Sequence, residues 1–213
     1  MDVATREGWR EEVDRLDVAV FSAVAATQTP WLDGALRHVS RAADHWKLWI
    51  GAAAVLALTG GRRGRRAAVN GLASTALSSA VVNLVLKPLA DRRRPDRPRH
   101  QVPISRRVAM PQSTSFPSGH AAAAAAFAAG VSGTMPQAGV PLGAAAALVA
   151  YSRVHTGVHY PADVIVGSVA GTAVAHLVVA GVEGGRRRPR WAPSLPPIKP
   201  PSGRSAHATP PRR

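Results

Sequence analysis

The sequence predicts an all-α fold: a polytopic membrane helical bundle of about five transmembrane helices behind an amphipathic amino-terminal helical segment. Two observations carry this. The chain of 213 residues has a formal net charge of +15, yet residues 67–86, 108–152 and 164–182 contain no Asp, Glu, Lys or Arg. A bilayer core about 30 Å thick needs roughly 20 apolar residues of helix, so these stretches supply spans, the longest of them two. Overall hydropathy is near zero because Arg-rich loops offset the apolar runs. Those runs are rich in Ala and Gly, which weakens each as an insertion signal but permits close helix packing in a membrane. A soluble alanine-rich bundle is the alternative that composition leaves open.

Residues 10–27 read as an amphipathic helix, with Val13, Leu16, Val20, Phe21 and Val24 at helical spacing among acidic and basic neighbours. Pro30 ends it. Residues 31–45 form a second short segment with Trp31, Leu32, Leu36 and Val39 on one face; both segments suit the membrane interface. The first span covers 46–61, with Trp46 and Trp49 as aromatic-belt residues. Gly60 to Arg66 reads as a tight basic turn. Later spans cover 67–86, 118–133, 142–152 and 161–182, the fourth with vague limits. The organisation is then an interfacial segment over 1–45, a membrane domain over 46–183 and a basic, Pro-rich, disordered tail over 184–213. Cysteine is absent, which excludes disulfides.

Consecutive spans alternate in direction. The end of the second span, the start of the third, the end of the fourth and the start of the fifth therefore share one side of the membrane. Lys87 and Arg94, then Ser118, Gly119 and His120, then Arg153, His159 and Asp163 fall there. Lys and Arg suit phosphoryl oxygens, Arg through its planar fork. Ser118 reads as an N-cap whose first-turn N–H groups face an anion, and Gly119 lets backbone approach it. His159 has the chemistry to attack phosphorus and His120 to protonate a leaving oxygen. Asp163, four residues on, can fix the tautomer of His159. His155, His159 and Asp163 at spacings of four would suit a metal on a continuous helix, but Pro161 interrupts it. His176 reads as a packing residue. Of the Arg92–Arg94 run, only Arg94 is assigned to the site.

Lys87-Pro-Leu-Ala-Asp-Arg-Arg-Arg94-Pro95, Pro117-Ser118-Gly119-His120 and Ser152-Arg153-Val-His-Thr-Gly-Val-His159-Tyr-Pro-Ala-Asp163 resemble the three motifs of the type 2 phosphatidic acid phosphatase (PAP2) superfamily. All three match in order, and the likeness covers about 75–185. The resemblance implies a membrane lipid phosphatase without metal or other cofactor. It implies His159 as the nucleophile that becomes phosphohistidine, Asp163 as its activator and His120 as general acid. Lys87, Arg94, Ser118, Gly119 and Arg153 are then the phosphate ligands. Substrates in reach are a polyprenyl phosphate or diphosphate, a polyprenyl-phosphate sugar phosphate or a phospholipid phosphate. The expected partners are that lipid and the membrane, not nucleic acid. A phosphatase of soluble esters, or a basic membrane-associated scaffold, is the competing reading. Short basic segments at Arg62–Arg66 and Arg186–Arg190 favour the cytoplasm, which turns the motifs to the extracytoplasmic side.

Overall fold

The computed structural model describes residues 3–186, and all regular structure in that range is helical. The order is α1 (Val3–Ala26), α2 (Pro30–Ala42), α3 (Lys47–Thr59), α4 (Gly61–Ala80), α5 (Gly119–Ser132), α6 (Pro136–His155) and α7 (Pro161–Arg186). A π-helical turn, Val81–Leu86, prolongs α4, and 3-10 turns occur at Asp44–Trp46 and Ile104–Arg106. Proline opens α2, α6 and α7, where its missing N–H has no helical partner to lose.

The seven helices fall on the two amino-terminal segments and five later ones at the expected places, but in α1 Val13, Leu16 and Val20 of the expected apolar face are exposed, and further details differ. The stretch Gly60–Arg66 is not a turn beyond its first residues, because α4 begins at Gly61. Arginine is a good helix former, so only the glycines reverse the chain. Gly61 takes a φ of 56°, and a Cβ on Gly64 would lie 2.0 Å from the Leu56 carbonyl oxygen. The α3–α4 hairpin closes at backbone contact there. Helix α6 runs back through 136–141 and accommodates Pro141. Trp49 is no belt residue. It is 1% exposed and packs on Phe127 with ring centroids 5.2 Å apart.

Helix α5 is central and packs against α4, α6 and α7. Its alanines, Ala121 to Ala124, Ala126 and Ala128, are buried, whereas Leu58, Leu77, Leu84, Ile165 and Leu177 face outward. Small residues inside and large apolar ones outside reverse the pattern of a protein folded in water and suit helices packed in lipid. Glycine brings backbones together: a Cβ on Gly171 of α7 would lie 2.1 Å from the Ala122 carbonyl oxygen. His176 is on the outer face of α7 rather than in its packing. Among the described residues, two helices are long and apolar enough to cross a membrane, Gly61–Leu86 and Pro161–Val182. Helices α3 and α5 have only 13 and 14 residues.

One end of the bundle is closed by Arg63 Nε and Asn70 Nδ2, which donate at 2.9 Å to the carbonyl and hydroxyl oxygens of Thr134. The α1–α2 pair packs at the other end. There Arg106, buried, donates to the carbonyls of Val24 (3.0 Å), Ala25 (3.4 Å) and Thr27 at the end of α1 and pairs with Asp33 of α2 at 2.8 Å. A cation on the last carbonyls of a helix complements its dipole. His155 Nε2 lies 3.1 Å from the same Asp33 carboxylate. The tail after residue 186 lies outside the described residues.

Candidate active site

The sequence motifs meet at the α1–α2 end. The π turn closes with the Lys87 N–H donating to the Val82 carbonyl at 2.9 Å, which widens the last turn of α4 and aims Lys87 and Asn83 at one cavity. Ser118 caps α5, accepting from Ala121 N–H at 3.4 Å, and its own N–H donates to the Asp163 carbonyl at 2.9 Å. The starts of α5 and α7 are thus locked together. A Cβ on Gly167 would come 2.5 Å from the Ser118 carbonyl oxygen. Between α6 and α7 the chain turns at Gly157, φ 73°, and the N–H groups of Val158 and His159 both donate to Arg153 O.

These elements enclose a cavity of about 220 Å³ lined by Lys87, Arg94, Gly119, His120 and His159, among others. His159 is 2% exposed. Its Nδ1 lies 3.3 Å from Asp163 Oδ2, and Arg94 Nη1 lies 3.2 Å from its Nε2. Arginine only donates and an ionised carboxylate only accepts, so this geometry selects the tautomer with hydrogen on Nδ1 and a lone pair on Nε2. Burial pushes the His159 pKa down to about 4, with Asp163 opposing and Arg94 reinforcing the shift. Arg94 is fixed by the carbonyls of Ser113, Val158 and Thr114 at 2.9 to 3.2 Å. Lys87 Nζ donates to Ser113 Oγ at 3.0 Å, and burial and Arg94 lower its pKa. A Cβ on Gly119 would stand 3.9 Å from Lys87 Nζ, so the glycine leaves open the ground in front of the cation.

Three predicted site residues sit behind the wall. Asp163 is wholly buried and also accepts from Tyr160 N–H at 2.9 Å and from Ser115 Oγ. Ser118 acts through its cap. Arg153, 2% exposed, donates to Ser40 Oγ at 2.6 Å and lies 3.9 Å from Asp44. His155, joined to Asp33, is not directed at the His159–Asp163 pair. Among the described residues no group of three His, Asp or Glu could hold a metal ion.

Sequence reasoning missed two groups. Arg92 bonds Asp163 Oδ1 at 2.9 Å, pairs with Asp17 at 2.6 Å and Asp14 at 2.9 Å of α1, and lies over the Tyr160 ring. Asp17 in turn accepts from Ala162 N–H at 2.7 Å, at the start of α7. Asp44 accepts from His120 Nε2 at 2.8 Å. Span alternation holds the signal for Asp44, since the start of the first span shares the side of the motifs. Nothing local distinguishes Arg92 from Arg94.

Two histidines line this one cation-bearing cavity, His159 backed by a buried carboxylate, and with the matches below the chain is a membrane phosphatase of lipid phosphates. The chain belongs to the PAP2 superfamily, whose family model matches residues 67–195. It is 36% identical over 184 residues to the decaprenylphosphoryl-5-phosphoribose phosphatase of Mycobacterium tuberculosis, covering 84% of this chain and 98% of the relative. Its identity to the enzyme of that name from Mycolicibacterium smegmatis is 35% over 157 residues, 72% of this chain and 80% of the relative. Its fold is similar to that of the transmembrane PAP2 type phosphatidylglycerolphosphate phosphatase of Bacillus subtilis, with a TM-score of 0.61 and 24% identity over 83% of this chain and 89% of the other. Aquifex aeolicus LpxE gives a TM-score of 0.59 and 24% identity over 77% of this chain and 94% of the other.

Proposed function

We propose that the chain removes the terminal phosphate of a polyprenyl-linked sugar phosphate through a phosphohistidine at His159. The observation that carries the mechanism is the placement of His159: Nδ1 against Asp163, Nε2 toward Arg94 and the cavity. The lone pair on Nε2 attacks phosphorus. The bond to the ester oxygen breaks, and that oxygen takes a proton from His120. Asp163 stabilises the charge gathering on the imidazole. Water then attacks the phosphohistidine, His120 recovers its proton and phosphate leaves. Lys87, Arg94, Arg153 and the first-turn N–H groups behind Ser118 and Gly119 supply the positive field for the transferring oxygens. The substrate class follows from the named activity of the mycobacterial relatives, which match most of the chain.

Helices α3 to α7 form the membrane-embedded unit in this reading, five spans with α4 and α7 setting its thickness. The site faces the extracytoplasmic side, opposite Arg62–Arg66. Purified protein incubated with the polyprenyl-phosphoryl ribose 5-phosphate should release phosphate in excess EDTA. It should carry acid-labile, base-stable phosphate when quenched during turnover. His159→Asn should lose both while keeping the wild-type melting profile. Near-wild-type turnover by that variant removes His159 as the nucleophile. Activity that EDTA abolishes and only a divalent ion restores removes the metal-free route.

A further inference from the structure

The catalytic cavity contains residues that the hydrolytic steps do not use, and they gather on the side of His120. His45 and Trp46 are consecutive and both left-handed, φ 54° and 61°, with no glycine between them. Bulky residues rarely hold that conformation, and where surrounding structure enforces it the site is often functional. Both line the cavity, and they directly follow Asp44, which holds His120. Asn83, carried on the π turn beside Lys87, lines it too. Its amide group donates to Ser79 O at 2.8 Å. Its Oδ1 lies 4.0 Å from the position a Cβ on Gly119 would occupy, on an exposed residue at the mouth of the site.

The direction of the leaving group fixes what this wall meets. A general acid must touch the oxygen that departs, so the group attached to that oxygen lies against His120 and the turn that positions it. An indole face offers an apolar, polarisable platform. The Asn83 carbonyl and the His45 ring offer hydroxyl partners. That set suits a flat, hydroxyl-bearing ring; a glycerol backbone with two acyl esters has neither the flat face nor the donors to use it. We propose that Asp44–Trp46 and Asn83 form the leaving-group subsite, and that it selects a sugar ring carrying the scissile phosphate. The proposal rests on the substrate reading given above and assigns the selection to named residues.

The test compares kcat/KM for polyprenyl-phosphoryl ribose 5-phosphate with that for phosphatidic acid, whose phosphate ester has no ring. Wild type, Trp46→Ala, Trp46→Phe and Asn83→Ala are assayed as full-length protein in detergent. The ratio should fall about tenfold in Trp46→Ala and in Asn83→Ala, chiefly through KM, as expected when a binding contact is lost. Trp46→Phe, which keeps an aromatic face, should retain most of it. Wild type that prefers the sugar lipid, with ratios unmoved in both truncations, overturns the subsite and leaves the substrate reading standing. Wild type that prefers phosphatidic acid overturns the substrate reading and this proposal with it. If Trp46→Ala does not fold, Asn83→Ala, at an exposed position, decides the matter through the same ratio.

Discussion

Asp163 is engaged from two directions, and the outer one, Arg92, is open to experiment. Arg92→Ala removes a bidentate partner from the carboxylates of Asp163 and Asp17. Leaving that buried charge without its partner destabilises the fold, and if about 1.4–2.7 kcal/mol of the lost ordering of Asp163 is expressed in the barrier, turnover drops roughly 10–100-fold. A structural role alone would stop there. Losing that positive charge also frees Asp163 to favour protonated His159, so the acid limb of the kcat/KM profile should move to higher pH. In wild type that limb should lie well below the ordinary histidine value of 6.5, toward about 4. The same depression makes the unfolded chain bind the extra proton first, so stability should fall as pH drops from 6.5 toward 4. Thermal melts across that interval check the sign. Asp44→Asn should slow hydrolysis of alkyl phosphates more than of p-nitrophenyl phosphate, whose leaving group scarcely needs a proton. The motif residues were legible in the sequence because three spaced patterns occur in order. Arg92 was not, since the path of a loop decides which of three adjacent arginines reaches the carboxylate. Asp44 was legible only as to its side of the membrane, through span alternation; its pairing with His120, 76 residues away, was not.

Elements inherit their positions from the smallest residues. Gly171 and Gly167 of α7 meet the backbone of α5 at Ala122 and Ser118. Gly171→Val must push the helices apart, an overpacking that typically costs about 1–3 kcal/mol. We expect a lowered melting temperature and poor recovery from detergent for it. Gly167→Ala should also depress activity, because the displaced atom belongs to the N-cap before Gly119; phosphate release assayed beside the melt separates the two. Helix centres were legible from the charge-free runs. Their ends were less so: Gly61–Arg66 is helical although charged, because membrane hydropathy reports where lipid contact stops and not where backbone hydrogen bonding stops. Trp49 looked like an interfacial anchor because sequence carries no record of which side of a helix faces Phe127.

At the scale of the molecule, the site and the Arg62–Arg66 segment lie at opposite ends of the α4 helix and its π-helical extension. With the site outside, Ile104→Cys, on the site-side loop and 80% exposed, should label with a membrane-impermeant thiol reagent on intact cells, and Arg62→Cys only after lysis. The reverse pattern places the site in the cytoplasm. The inverted size gradient of the bundle has a separate consequence for how the sequence can drift. Around the axis the separation of helices is set by Ala, Gly and Ser, so a single added methyl finds backbone in its way. On the outer surface, Leu58, Leu84 or Leu177 can change to any apolar residue with little effect. A saturation mutagenesis map should therefore show the outward-facing Leu58, Leu84 and Leu177 as permissive and the glycines and alanines between the helices as constrained. A comparison that weights alanine as interchangeable would miss the most informative columns of this fold.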